Sequence, residues 1–208
     1  MRLNRLFSTL VFMLATLGVM AADAPDFFRV RTAKDVQGQP HRLGEVAGTK
    51  VIVLVILGPE CPLSQRYVPE LNRLATGQPT NGVEFLGVIS GKSITRSNAA
   101  FFAKEYAIQY PVLFDDAGLL ARWLRPTHMP EAFVLKPDGD VAYRGRIDDW
   151  YQSPGKPRAV VQHHELRDAM AAVREGKTPP RLFAQPVGCY FEDWPARGSP
   201  EPQRGREE

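Results

Sequence analysis

The 208-residue sequence predicts an α/β domain, a sandwich with a central sheet of mixed strand direction flanked by helices. Three observations predict it. Val51 to Leu57 is apolar at every position and rich in Val and Ile, as a strand covered on both faces requires. Further strand patterns alternate with helical ones, as parallel pairing demands. A hairpin, "AFVLKPDGDVAYRG" from Ala132, and a terminal helix then close the order, which brings antiparallel pairing into the same sheet.

The elements follow along the chain. Arg2 and Arg5, the apolar stretch Leu6 to Met20 and the small residues of "GVMAADA" read as a secretory signal peptide over residues 1–21, cut near Ala21, or as an uncleaved N-terminal anchor. Its loss removes two arginines and no acid, leaving 24 basic against 23 acidic side chains and a net charge of +1. A nearly neutral domain excludes a nucleic-acid surface, and contact with a membrane is expected only through an uncleaved leader. Extracytoplasmic placement, periplasmic or secreted, permits disulfides, so Cys61 and Cys189 are candidates for pairing.

Residues 22–192 form the predicted domain. After Val51 to Leu57 comes a helix with Leu63, Tyr67, Val68, Leu71 and Leu74 on one face. "VEFLGVIS" from Val83 and "PVLF" from Pro111 are strands. "SNAAFFAKEYAI" and "DDAGLLARWL" are helices, the second with Asp115 or Asp116 as N-cap. A last helix spans Val160 to Arg174 and stops at Gly176 before Pro179. Residues 193–208 are rich in Pro, Gly, Arg and Glu and read as a disordered tail.

Chemistry concentrates where the first long strand ends. Gly58 and Pro59 terminate it, and Pro62 suits the first helical position, which makes Cys61 the N-cap. Unsatisfied N–H groups and the positive end of the helix dipole favour a thiolate there. The alternative is an inert buried thiol.

"CPLSQRYVPEL" resembles the active-site helix of the thioredoxin superfamily, a Cys-x-x-Cys or Cys-x-x-Ser motif with a proline eight residues on, here Pro69. "HMPEAFVLKPDG" resembles the segment that sets a cis-proline against the reactive sulfur, which makes Pro130 that residue. The separation of the two motifs resembles the redoxin and peroxiredoxin branch, including alkyl hydroperoxide reductase and thiol-specific antioxidant proteins, which inserts a strand and helix between them.

The resemblance implies a thioredoxin-like fold and an oxidoreductase that uses one nucleophilic cysteine for thiol–disulfide exchange or for reduction of peroxide or oxidised sulfur. Its partners would be a protein thiol or disulfide, or a small peroxide, with an external thiol reductant and no cofactor. The catalytic candidates are Cys61, Ser64, Pro130 and Cys189, and Pro62, Met129 and Glu131 are expected to line the substrate groove.

The departures matter. Ser64 replaces the second motif cysteine and either hydrogen-bonds to the Cys61 sulfur or is an ordinary first-turn serine. Gly58 stands where peroxiredoxins carry a threonine, and Pro130 near the place of their arginine; Arg144 or Arg146 is a possible substitute. Cys189 is either a structural staple or the resolving thiol. Glu131 is either a proton acceptor or a solvated carboxylate.

The non-catalytic rival is a copper-binding or assembly protein on the same fold, with Cys61, His128 and Met129 as ligands. Gln65 breaks that match, because the copper chaperones carry their second cysteine there. The pair Asp148 and Asp149 is a possible cation site or a polar loop, and His163 and His164 read as solvated.

Overall fold

The computed structural model describes residues 27–77 and 82–191; the predicted signal peptide and C-terminal tail lie outside the described residues. The chain opens with α1 (Phe27–Val30) and a hairpin of β1 (Thr32–Lys34) and β2 (Pro40–Arg42). Strands and helices then alternate: β3 (Val51–Ile56), α2 (Pro62–Thr76), β4 (Val83–Ser90), α3 (Arg96–Glu105), β5 (Val112–Asp115) and α4 (Leu119–Leu124). Next come β6 (His128–Met129), β7 (Glu131–Leu135), β8 (Val141–Gly145), the small hairpin β9 (Tyr151–Ser153) and β10 (Lys156–Pro157), and α5 (Glu165–Arg174). Two short strands, β11 (Phe183–Ala184) and β12 (Cys189–Tyr190), follow.

The main sheet has the order β11-β8-β7-β3-β4-β5. β3, β4 and β5 are parallel, whereas β7 runs antiparallel to both β3 and β8. All six residues of β3 are fully buried, as its unbroken apolar run predicts. Val51, Val53 and Val55 face the core shared with α2, α3 and α5. Ile52, Leu54 and Ile56 face the opposite core, closed by α1 and α4. The alternation along a strand thus feeds two layers, and full burial of each such side chain contributes about 1.5–3 kcal/mol. β5 and α4 form the inserted strand–helix unit between α3 and the proline segment.

Three boundaries differ from expectation, each because of a side chain elsewhere. The N-cap position of α4 is Gly118, yet Asp115 does the capping from upstream, its carboxylate accepting from the N–H groups of Leu120 and Ala121. α3 begins one residue early, with the Thr95 hydroxyl accepting from Asn98 N–H. The last helix starts at Glu165 rather than Val160. The buried Asp149 carboxylate takes the N–H groups of Gln162 and His163, which holds that approach out of the helix.

Candidate active site

Cys61 caps α2 in an extended conformation, φ −84° and ψ 114°, with Pro62 exposed at the first helical position and no acid in the first turn. The helix therefore presents its positive end to the sulfur without a competing negative charge. Ser64 is fully buried. Its hydroxyl oxygen accepts the Gly58 N–H at 3.1 Å, which ties the strand exit to the helix. Pro69 lies inside α2, and the Gln65 amide donates to Pro59 O at 2.8 Å, a second tie across the corner.

The Met129–Pro130 peptide bond is cis, as expected for Pro130. It turns the Met129 carbonyl onto Cys61, whose thiol donates to it at 2.9 Å. Met129 Sδ covers the same corner: a Cβ built on Gly58 would lie 2.7 Å from that sulfur and 3.2 Å from Cys61 Cβ. Any larger residue at position 58, such as the threonine of peroxiredoxins, would displace the methionine.

The sulfur is closed off from solvent. Cys61 is 2% exposed. What covers it is the C-terminal segment: β12 pairs antiparallel with β6, Cys189 opposite Met129 and Tyr190 opposite His128. Cys61 and Cys189 are both free thiols within hydrogen-bonding reach of each other. The predicted meeting of the two sulfurs is thus present as a dithiol rather than a disulfide.

Burial works against ionisation of Cys61. Hydrogen bonds from the Cys189 thiol, from the backbone N–H groups of Ser64 and Cys189 and from the Ser64 hydroxyl outweigh it, and the thiol sits below its ordinary value. Burial, with the hydrogen bond to Cys61 and its charge, pushes Cys189 up to about 12. The pair therefore loses its first proton at Cys61, and Cys189 keeps the hydrogen that steadies the thiolate.

Glu131 is neither a groove residue nor a solvated carboxylate. It is fully buried beneath the proline segment. One of its oxygens accepts from Arg144 Nε at 3.1 Å and Nη2 at 2.7 Å, and the other takes the N–H groups of Thr127 and His128. Burial without these partners would be prohibitive, and with them Glu131 fixes the approach to Pro130. Arg146 is engaged likewise, by Glu165. Neither arginine is a free cation for peroxide.

His128 directs Nδ1 to the Thr127 hydroxyl at 3.0 Å and packs its ring at a tilt of 42° against Tyr190, with centroids 4.9 Å apart. Asp148 and Asp149 are buried rather than lying in an open polar loop. Asp148 accepts the Tyr67 hydroxyl at 2.7 Å, beneath the helix that carries Cys61. Among the described residues, one trio, Glu70, Asp148 and His164, sets metal-capable atoms within 4.8 Å of one another.

Arg144 and Gly188 are the important residues that sequence reasoning missed in these roles. The signal for Arg144 lay in the hairpin register, which places it opposite Phe133 and diagonal to Glu131 on one face. A Cβ added at Gly188 would lie 2.1 Å from Met129 O, and no local signal marks that requirement because it comes from a residue 59 positions away.

A cysteine at a helix N-terminus, a cis-proline carbonyl against it and an inserted strand–helix unit accord with the family model described as AhpC/TSA family, which matches residues 20–144. The chain belongs to the AhpC/TSA family. Among curated relatives, thiol-disulfide oxidoreductase ResA of Bacillus thuringiensis subsp. konkukian (strain 97-27) and its counterpart in Bacillus cereus (strain ATCC 10987 / NRS 248) are each 26% identical over 120 residues. That match covers 57% of this chain and 65% of theirs, less than two thirds of the relatives' length.

The crystal structure of an uncharacterized conserved protein from Geobacillus kaustophilus superposes with a TM-score of 0.67 at 25% identity, over 83% of this chain and 91% of that one. A hypothetical protein from Sinorhizobium meliloti 1021 gives 0.68 at 22% identity, over 80% and 90%. The fold of this AhpC/TSA family member is thioredoxin-like, and the C-terminal segment brings a second thiol, Cys189, to the Cys61 corner.

Proposed function

We propose that this chain is an exported thiol–disulfide oxidoreductase in which Cys61 is the nucleophile and Cys189 the resolving thiol. The observation that carries the reading is the second sulfur set across β6 against the first, in place of the motif cysteine that Ser64 replaces. The leader-like pattern of residues 1–21 supports export.

In the cycle, the Cys61 thiolate attacks one sulfur of a disulfide in a partner protein. That S–S bond breaks, a mixed disulfide forms at Cys61, and the partner's other sulfur leaves as a thiolate. Cys61 is then uncharged, so the hydrogen bond and charge that held the proton on Cys189 are gone. Cys189 passes its proton to the departing thiolate and attacks the Cys61 sulfur. The mixed disulfide breaks, the partner's second sulfur leaves as a thiolate and takes a proton from water, and the partner departs as a dithiol with two electrons gained while the chain holds a Cys61–Cys189 disulfide. An external dithiol restores the starting state by the reverse exchange. Peroxide reduction is the weaker use of the site, because Arg144 and Arg146 are committed to Glu131 and Glu165 and position 58 is a glycine, with no hydroxyl to offer beside Cys61.

The test is reduction of a two-chain peptide joined by one disulfide, with dithiothreitol as the external reductant. Cys61→Ser is expected to lose the catalysed rate altogether, whereas Cys189→Ala is expected to slow turnover while accumulating a mixed disulfide. An unchanged rate in Cys61→Ser defeats the proposal.

A further inference from the structure

The segment that covers Cys61 has the geometry of a bound peptide. Residues 185–191 carry no charge, and Cys189–Tyr190 within them run extended and add themselves to the free edge of β6. Cys189 pairs with Met129, Tyr190 with His128, and Phe191 N–H donates to Thr127 O at 3.0 Å. Cys189 is thereby placed beside the Cys61 sulfur, where the cysteine of a partner protein must lie for exchange. β12 is only two residues long, so a competing strand has few backbone bonds to replace.

One glycine admits the chain just before this segment, and a second lies within it. At Gly145, where β11 pairs with β8, an added Cβ would lie 2.0 Å from Ala184 O. At Gly188 it would lie 2.1 Å from Met129 O and 2.7 Å from the Met129 carbonyl carbon. The second contact is the more telling, because Met129 O is the acceptor of the Cys61 thiol. The residue just before the incoming cysteine meets the carbonyl that the cis-proline turned onto the nucleophile, and there is no space for a side chain there. Val187 and Phe191, on either side, pack against the two cores and act as anchors.

We propose that residues 185–191 are a built-in substitute for an extended peptide, and that this strap must leave β6 before Cys61 can meet a partner. The partner's segment is then uncharged, extended and of the pattern Gly-Cys-aromatic. The proposal rests on the thiol–disulfide reading of the same site and adds to it a regulated entrance and a sequence preference. Cys189 plays two parts: with the strap seated it steadies and shields the Cys61 thiolate, and on return it resolves the mixed disulfide.

The test uses the full chain and two variants that unseat the strap by different means. Gly188→Val puts a side chain into the Met129 carbonyl, and Phe191→Asp removes an apolar anchor without touching the β6 backbone. The probe is a fluorescein-labelled peptide copying residues 183–191 with serine in place of its cysteine, and binding is read by anisotropy.

Both variants are expected to bind it at least about tenfold more tightly than the parent chain. A peptide with valine at the glycine position is expected to bind neither. Equal binding by parent and variants, or no binding by any of them, overturns the proposal. So does loss of the cooperative thermal transition in both variants, which would make the segment an integral strand.

Iodoacetamide labelling of Cys61 in the same samples keeps the two readings apart. A readily labelled Cys61 without peptide binding ends the strap proposal and leaves the exchange reading in place. Peptide binding around a Cys61 that labels like an ordinary thiol does the reverse.

Discussion

At the scale of single residues, the chemistry is a division of labour between two thiols in one hydrogen-bonded pair. Cys61 ionises first because the helix N-terminus, Ser64 and Cys189 all favour its charge, and Cys189 is held protonated by that same charge. Alkylation proceeds through the thiolate, so its rate climbs with pH and levels off once the thiol is ionised. The inflection for Cys61 is expected below that of the same thiol in the urea-unfolded chain. Cys189→Ala removes the largest of the favourable hydrogen bonds and is expected to move the inflection upward, toward the ordinary thiol value. Iodoacetamide rates across a pH series measure both, and an inflection unmoved by Cys189→Ala contradicts the coupling.

At the scale of elements, the site depends on what holds the segment before Pro130. Glu131 joins β8 to the Thr127–His128 backbone through Arg144, whose guanidinium also lies over the Phe133 ring at 5.2 Å and donates to Arg125 O. Arg144→Leu leaves a fully buried carboxylate without its cation, a loss on the order of 3–5 kcal/mol. Urea unfolding is expected to show that loss. A change within about 0.5 kcal/mol, the range of ordinary surface substitutions, would contradict the role assigned to the pair.

The sequence discloses elements unevenly, for physical reasons. β3 and α2 are readable because their patterns answer to burial alone: an unbroken apolar run is a doubly covered strand, and Leu63, Tyr67, Val68, Leu71 and Leu74 are a helical stripe. Cys61 and Pro130 are readable because local backbone chemistry marks them. Glu131 is not, since a carboxylate after a proline looks solvated until Arg144 arrives from the facing strand. The start of α5 is hidden for a similar reason, because its boundary is set by Asp149 from a distant loop.

At the scale of the whole molecule, the sheet's middle carries the nucleophile and the end of the chain returns to supply its partner. β11 adds to β8 at one edge, and β12 crosses to β6 over the active corner, so the C-terminal segment is stitched at two places that require glycine. No helix among the described residues is long and apolar enough to cross a membrane. The dithiol arises from the fold, since 128 positions separate two cysteines that meet beside one carbonyl. Long-range pairing of this kind leaves no spacing motif, which is why two uses of Cys189 stay open from sequence.

The most direct measurement is intact mass after brief treatment of the reduced chain with oxidised glutathione and quenching with an alkylating agent. The parent is expected to lose the mass of two hydrogens and carry neither glutathione nor alkyl label on Cys61 or Cys189, as an internal disulfide requires. Cys189→Ala is expected to hold one glutathione, on Cys61. A parent chain that keeps the adduct without closing the internal bond, or an adduct that forms on Cys189 in preference to Cys61, would contradict the account.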